Sequence, residues 1–271
     1  MQSIHATKRN IDIKEYRQRG ASEEDFETLV TEDTVVYIDD HLVIAYFAPV
    51  KEQLTDLRQA LQQIKYESST RTSGLRTTSR IFGYAPRNVI RNHPCRLVSL
   101  ATEFPVQHAI IEHGASIAAS YYWIANPDLA GIHQQMTDEK LQREYVLANS
   151  MFTSGIVNEN NPLMYHFDSG NYKGVYSAMF GFKQGIDKGY LSVPELNLGF
   201  EIADRSLLLF DGQGLLHGVT PIIKKNPNAK RYSIVYYSLQ QMWNCKAPGE
   251  ELERLRERRT KMEQRKANSM R

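Results

Sequence analysis

The 271-residue sequence lacks the features that define several classes of protein. Its only two cysteines, Cys95 and Cys245, are too few for a disulfide framework and lack the spacing of a metal site. No run approaches ~18 uninterrupted apolar residues, so no membrane-spanning helix is expected. The segment Met1–Gly20 has no apolar stretch like that of a secretory signal. We therefore expect a soluble intracellular protein without a membrane partner, nuclear in a eukaryote or cytoplasmic in a bacterial or phage-infected cell, whose cysteines are free and inert.

Acidic residues are missing from one long stretch, because no Asp or Glu occurs between Ser68 and Thr102. The formal net charge is only +2, but the residues outside this stretch hold 27 basic against 31 acidic side chains. An acid-free run of arginines is typical of a surface that binds a polyanion. The alternative is a set of solvated loop arginines, which would normally be interspersed with acids. The six arginines are Arg71, Arg76, Arg80, Arg87, Arg91 and Arg96.

Residues 1–150 carry most of the helical signals, and we interpret them as a helical, substrate-binding part of a single domain. Apolar residues recur there at three- and four-residue intervals, the period of an amphipathic helix. Residues 71–86 are rich in Gly, Ser and Thr and are interpreted as a loop or short strands. The predicted helices are Ser22–Leu29, Pro49–Tyr66, Phe104–Ala125 and Leu129–Leu147, and the predicted strands of this part are Thr34–Ile38 and Leu42–Phe47.

Residues 151–245 instead show short β-prone runs separated by turn residues. Many short strands at this spacing predict an antiparallel barrel or double-sheet jelly roll, and hence an α+β fold in which N-terminal helices buttress the sheet. Residues 246–271 are predicted to form a charged C-terminal helix or tail. The predicted strands are Leu163–Phe167, Val175–Phe182, Tyr190–Val193, Gly199–Ile202, Ser206–Phe210, Leu215–Thr220 and Arg231–Leu239.

The run His166-Phe167-Asp168 places two metal-binding side chains on one face of an extended strand, because residues i and i+2 point the same way. His217 follows in another predicted strand. Two histidines and one carboxylate leave positions open on an octahedral metal, as in non-haem Fe(II) oxygenases. We therefore predict that His166, Asp168 and His217 bind Fe(II). Two satisfied core histidines are the alternative.

Arg231 opens an apolar strand, where an arginine is unfavourable unless it is paired. A cofactor carboxylate could pair with it in bidentate fashion, and Ser233 lies on the same face of the strand. We therefore predict that Arg231 and Ser233 bind 2-oxoglutarate, with O2 as co-substrate. A sheet-edge arginine beside Lys230 is the alternative. Asn158 and Asn171 flank the metal strand and either orient the cofactor or substrate or are plain turn residues.

The chain also resembles a known family of enzymes. The run SGLRTTSRIFGYAPR, residues 73–87, resembles the N-terminal motif of compact TET/JBP-type dioxygenases. These are related to ten-eleven translocation enzymes and base-J thymine hydroxylases and include phage and fungal forms. The runs YHFDSGN, LLLFDGQGLLHGVTPI and RYSIVYYSL resemble the iron and 2-oxoglutarate motifs of that family. The resemblance covers roughly Arg71 to Leu239, and the Cys-rich zinc-binding region of animal TET enzymes is missing.

This resemblance implies a double-stranded β-helix with Fe(II) on His166, Asp168 and His217 and 2-oxoglutarate on Arg231. It implies oxidation of the 5-methyl group of a pyrimidine in DNA, chiefly 5-methylcytosine to 5-hydroxymethylcytosine, and leaves the number of oxidation steps open. The target nucleotide must be flipped out of the duplex. We expect a monomer whose partner is DNA containing a 5-methylpyrimidine. Residues expected to face the DNA or the base are Arg76, Arg80, Tyr84, Arg87, Asn158 and Asn171.

Other functions stay open at this point. The same chemistry could act on thymine in DNA, on a protein side chain or on a small metabolite, although the acid-free arginine run disfavours the last two. A non-catalytic nucleic-acid-binding module on a degenerate oxygenase fold is disfavoured because all four site residues are present. Halogenase chemistry is disfavoured because those enzymes lose the carboxylate that Asp168 supplies here.

Overall fold

The computed structural model describes residues 1–70, 76–88 and 90–269. No helix in this part of the chain is both long and apolar enough to cross a membrane. The α-helices are α1 (Ile13–Tyr16), α2 (Thr55–Gln63), α3 (Leu100–Glu103), α4 (Pro105–Ala125), α5 (Pro127–Lys140) and α6 (Pro248–Ser269). Short 3-10 helices lie at Glu23–Asp25, Arg143–Tyr145, Pro194–Leu196 and Gln240–Asn244.

The strands occur along the whole described chain up to Tyr237. The first seven are β1 (Gln2–His5), β2 (Thr28–Val30), β3 (Thr34–Ile38), β4 (His41–Phe47), β5 (Glu67–Thr70), β6 (Arg76–Ala85) and β7 (Arg96–Leu97). The others are β8 (Ser154–Glu159), β9 (Leu163–His166), β10 (Ser177–Gln184), β11 (Ile186–Lys188), β12 (Leu191–Val193), β13 (Leu198–Phe200), β14 (Ser206–Phe210), β15 (His217–Val219), β16 (Ile222–Lys224) and β17 (Lys230–Tyr237).

Two main sheets share one apolar layer. The large sheet has the order β1-β3-β4-β14-β10-β17-β8-β6-β5, with β7 beside β6, and the small sheet has the order β2-β13-β12-β15-β9. Tyr46, Met179 and Leu208 of the large sheet are buried in the same cluster as Val193 and Phe200 of the small sheet. The pairing is antiparallel except for β1 with β3 and β2 with β13. The expected jelly-roll core is therefore present, as two sheets and not as a closed barrel.

The other face of the large sheet packs against α2 and α4. Side chains alternate along a strand, so Phe180 lies in this second core while its neighbour Met179 lies in the first. Tyr236 donates its hydroxyl to the carbonyl of Ile111 at 2.7 Å. Gly114 allows this close approach, since a Cβ there would lie 2.2 Å from the Tyr236 hydroxyl. Each large apolar side chain buried here contributes about 1.5–3 kcal/mol to stability.

Most strands of residues 151–245 were predicted, but β8, β11 and β16 were not. In residues 1–150, the predicted helices Pro49–Tyr66, Phe104–Ala125 and Leu129–Leu147 correspond to α2, α4 and α5, and the two predicted strands correspond to β3 and β4. The strands β1, β2, β5 and β7 of this part were not predicted. Ser22 does cap a helix through a capping box with Asp25, yet the helix is a single 3-10 turn before β2. The sheet overrides the local signal because β2 pairs with β13. The second half of residues 71–86 is the long strand β6.

The two cysteines are not free, contrary to the prediction. Cys95 and Cys245 form a disulfide across a sequence separation of 150 residues. Their number and spacing give no sign of this, because only the folded chain brings them together. The bond connects the segment before β7 to the segment that leads into α6.

Candidate metal centre

The predicted metal ligands come together on the small sheet. β9 and β15 pair so that His166 lies opposite His217, and Asp168 follows two residues after the end of β9. Asp168 Oδ1 lies 3.7 Å from His166 Nε2 and 3.8 Å from His217 Nε2. One donor atom from each residue lies within 4.8 Å of the others. The strand pairing therefore brings the three ligands within reach of one ion.

Both histidines are oriented by backbone carbonyls. His166 Nδ1 lies 2.9 Å from the carbonyl of Met164, and His217 Nδ1 lies 3.0 Å from that of Leu215. A carbonyl only accepts, so each Nδ1 must carry the hydrogen, and Nε2 keeps its lone pair for a metal. Phe210 packs edge-on against His217, with ring centroids 5.0 Å apart. The site thus has the supporting contacts that a metal-binding histidine needs.

Gly212 lies directly behind Asp168. Its carbonyl accepts a hydrogen bond from the Asp168 amide at 2.8 Å. A Cβ at Gly212 would lie 2.2 Å from Asp168 Oδ2. The sequence marks Gly212 only as a turn residue, so its part in placing the carboxylate could not be predicted.

Gly212→Ala is expected to displace the Asp168 carboxylate and weaken divalent metal binding about 10- to 100-fold, the usual effect of disturbing residues that orient a ligand. Isothermal titration with Mn(II) under anaerobic conditions measures this. Gly249→Ala is the matched control, since no atom lies within 4 Å of a Cβ built there. Equal metal affinity in both variants would show that Gly212 does not position Asp168.

Arg231 lines the same cavity of about 280 Å³ as the three ligands. It is only 1% exposed, and its Nε and Nη2 have no hydrogen-bond partner within the protein. Burial lowers the pKa of Arg231 to about 10, which leaves the guanidinium charged at neutral pH. A buried, charged and unpartnered guanidinium fits a carboxylate ligand in the cavity.

Ser233 also lines the cavity and belongs to a polar network below it. Asn158 Nδ2 donates to Ser233 Oγ at 3.3 Å, and Asn161 Nδ2 donates to Asn158 Oδ1 at 3.1 Å. Asn161 is fixed in turn by two hydrogen bonds to the backbone of Thr78 on β6. Because Ser233 accepts from Asn158, its own hydroxyl hydrogen can be donated into the cavity. Asn161 was not predicted, and the Asn-Pro turn that holds it was its only sequence signal.

Two further residues complete the cavity wall. Asn171, for which the sequence left open a role at the cofactor or substrate and a plain turn, lines it and donates to Ser177 Oγ at 3.2 Å. Tyr237 also lines it but was not predicted. Burial raises the pKa of Tyr237, and the nearby charge of Asp168 raises it further, so the phenol stays protonated.

The residues expected to contact DNA are placed differently. The Arg80 side chain is 4% exposed and forms ion pairs with Glu67 at 2.8 Å and with Glu103 at 2.6 Å. Its charge therefore has a structural role. Tyr84 packs edge-on against Tyr145 at 5.5 Å and does not line the cavity. The side chain of Arg76 lies outside the described residues, as does Arg71. The arginine-rich motif is thus mainly a strand of the large sheet.

Arg87 is half-buried and pairs with a buried carboxylate. Its Nε lies 3.1 Å from Glu251 Oε2, its Nη2 contacts Glu251 Oε1, and Glu251 is buried. Burial raises the pKa of Glu251, but hydrogen bonds from Arg87 and from the backbone amides of Lys246 and Cys95 outweigh it and lower the pKa overall. Glu251 therefore stays ionised and neutralises Arg87, whose contact with DNA stays a prediction.

The chain is similar to proteins of known function. It is 30% identical over 112 residues to the bifunctional helicase and thymine dioxygenase JBP2 of Leishmania tarentolae, and 28% identical over 105 residues to JBP2 of Trypanosoma brucei brucei. These matches cover 40% and 39% of this chain but only 10% of each relative. No family model matches the chain.

The fold has a solved counterpart in NgTET1 in complex with 5mC DNA. The TM-score is 0.58 at 16% sequence identity, over 85% of this chain and 90% of that one. The similarities to JBP2 and NgTET1 confirm the resemblance to TET/JBP-type 2-oxoglutarate oxygenases and the double-stranded β-helix expected from it.

Proposed function

We propose that this protein is a 2-oxoglutarate- and Fe(II)-dependent dioxygenase that oxidises the 5-methyl group of a pyrimidine in DNA. The leading reaction is 5-methylcytosine to 5-hydroxymethylcytosine. The observation that carries the proposal is the unpartnered, buried Arg231, which shares one cavity with a His-Asp-His cluster. A metal site alone would fit many reactions, whereas a metal site beside a buried cation fits an acidic cofactor.

His166, Asp168 and His217 would hold Fe(II), and Arg231 with Ser233 would hold the distal carboxylate of 2-oxoglutarate. Together, these bound groups supply the O2 activation needed to oxidise a methyl group. Leu191, Phe210 and Val219 give the cavity apolar walls. Such walls limit the water that reaches a reactive centre and strengthen the pairing of Arg231 with a carboxylate.

The depth of the site bears on how DNA would be used. His217 is buried, His166 and Asp168 are half-buried, and all three line a cavity between the two sheets. A methyl group on a stacked base cannot reach such a position. The nucleotide must therefore be flipped out, at about a few kcal/mol of unstacking. Asn171 and Tyr237 on the cavity wall are polar groups that could meet the edge of an extruded base.

Nucleoside mass spectrometry tests this function. Duplexes with 5-methylcytosine or with thymine only would be incubated with the protein, Fe(II), ascorbate and 2-oxoglutarate. We expect 5-hydroxymethylcytosine and equimolar succinate from the methylated duplex. The duplex with thymine only is included because the JBP2 relatives are named thymine dioxygenases. A 5-hydroxymethyluracil product would shift the substrate to thymine, and the absence of any oxidised base in both arms would refute the proposal.

A further inference from the structure

Helix α6 carries a stripe of basic residues that the proposed catalytic site does not use. At about 100° per residue, Arg254, Arg258, Lys261 and Arg265 lie on one side of the helix. Glu263 lies on the opposite side. Among the described residues, α6 contacts the protein body through buried Glu251 and half-buried Leu255 and Arg258. Residues 259–265 of the helix are exposed.

The charges of this stripe are poorly compensated. Arg254 lies 3.8 Å from Glu251, but that carboxylate is already bound by Arg87. Within the described ranges, Arg258, Lys261 and Arg265 form no ion pair. Like charges three and four residues apart on a helix repel each other. A bound polyanion would relieve this repulsion.

The stripe begins beside a second basic element. A cleft of about 210 Å³ is lined by Glu251, Arg254 and Arg258 of α6 on one side. Arg87, Asn92 and His93 line it on the other side, where Arg87 neutralises Glu251. Arg91 and Arg96 flank His93 and are exposed. These three residues belong to the tight turn closed by Asn88 and His93 and to the strand β7 that follows.

The two elements are fixed relative to each other. The disulfide between Cys95 and Cys245 connects them, and Glu251 of α6 accepts a hydrogen bond from the Cys95 amide at 3.3 Å. The segment before this link leads back to Leu239, which lines the catalytic cavity. The basic surface is therefore held at a set place on the enzyme and does not lie on a loose tail.

We propose that α6 and the 88–96 segment form a clamp for the sugar-phosphate backbone of duplex DNA, an inference that rests on the proposed function. Cationic side chains spaced about one helical turn apart suit successive phosphates. A membrane surface fits less well, because a helix that lies on lipid needs a continuous apolar face. The apolar residues of α6 from its second turn onward are only Leu252, Leu255, Met262 and Ala267. The clamp keeps Arg91 and Arg96 of the acid-free arginine run and adds the basic stripe of α6 to them.

The test is the binding of a fluorescein-labelled, unmethylated duplex, measured by anisotropy across a series of salt concentrations. Arg258→Gln/Lys261→Gln removes two stripe charges. Arg256→Gln/Arg259→Gln removes two charges from other sides of the same helix and is the matched control. We expect the stripe variant to bind about tenfold more weakly at about 50 mM salt and to lower the slope of log K against log[salt] by about 2. The control should stay within about twofold of the wild type.

The outcomes separate the clamp from the catalytic proposal, since the assay needs no iron, 2-oxoglutarate or methylated base. If the stripe variant and the control lose DNA affinity equally, or if neither loses any, the clamp is overturned. The proposal of base oxidation would not be affected by either result. A lack of oxidised base together with stripe-dependent binding would refute the catalytic proposal alone. A second experiment measures membrane binding by sedimentation with phosphatidylserine vesicles. Stripe-dependent vesicle binding without duplex binding would assign the surface to a membrane and overturn the clamp.

Discussion

Asp168→Ala is expected to abolish product formation and to weaken divalent metal binding by more than about 100-fold. Loss of a residue that merely orients a ligand weakens metal binding about 10- to 100-fold, so loss of a ligand must exceed that range. The reason is geometric, because Asp168 Oδ1 is the donor close to both histidine Nε2 atoms. Metal titration and nucleoside mass spectrometry measure the two effects separately.

His113→Ala is the control for this variant. His113 is an exposed histidine of α4 and lies outside the metal cluster. The His113→Ala variant should keep wild-type metal affinity and turnover. Both His113→Ala and Asp168→Ala should bind unmethylated duplex like the wild type. Turnover by Asp168→Ala would show that the metal centre has been misassigned.

Arg231→Met is expected to stabilise the protein without cofactor and to remove the further stabilisation that 2-oxoglutarate gives the wild type. Without 2-oxoglutarate, the variant removes a buried charge that has unsatisfied donors and puts an apolar side chain in its place. Such replacements often stabilise by about 1–4 kcal/mol, so the melting temperature should rise by several degrees. With 2-oxoglutarate, the wild type gains about 2.7 kcal/mol at 100 times its Kd, and the variant should gain almost nothing.

The affinity of Arg231→Met for 2-oxoglutarate should fall by about 30-fold to several thousand-fold, the effect of losing about 2–5 kcal/mol from a buried charge pair. Thermal melts across a 2-oxoglutarate titration with Mn(II) measure both effects. Arg58→Met is the control, since Arg58 is partly exposed and already paired with Asp204 at 2.6 Å. The free energy of unfolding should change by only about 0–1 kcal/mol in this control. A variant that still responds to 2-oxoglutarate would remove Arg231 from the cofactor site.

The metal ligands and the buried arginine could be predicted because their signals are local. An i, i+2 pair on a strand shares a face whatever the rest of the chain does. An arginine at the head of an apolar strand needs a partner wherever that strand lies. The pattern of short β-prone runs separated by turn residues likewise predicted the jelly roll without any knowledge of which strands pair.

The errors all concern partners far away in sequence. Glu251 lies 164 residues from Arg87 and pairs with its guanidinium. The disulfide spans 150 residues. The Ser- and Thr-rich motif around Arg80 lacks the apolar alternation of a strand, yet β8 pairs with it along five residues. Local sequence cannot reveal a residue's partner when the fold supplies it from another element.

The parallel pairings of β1 and β2 have a consequence for synthesis of the protein. β1 finds its partner β3 about 30 residues later, but β2 must wait for β13, about 170 residues later. While the ribosome works through the intervening segment, the backbone groups of β2 can bond only to water or to another chain. Unpaired strand edges are prone to aggregation during slow, non-local folding. A lower expression level should therefore raise the soluble yield, because fewer incomplete chains are then present to associate with one another.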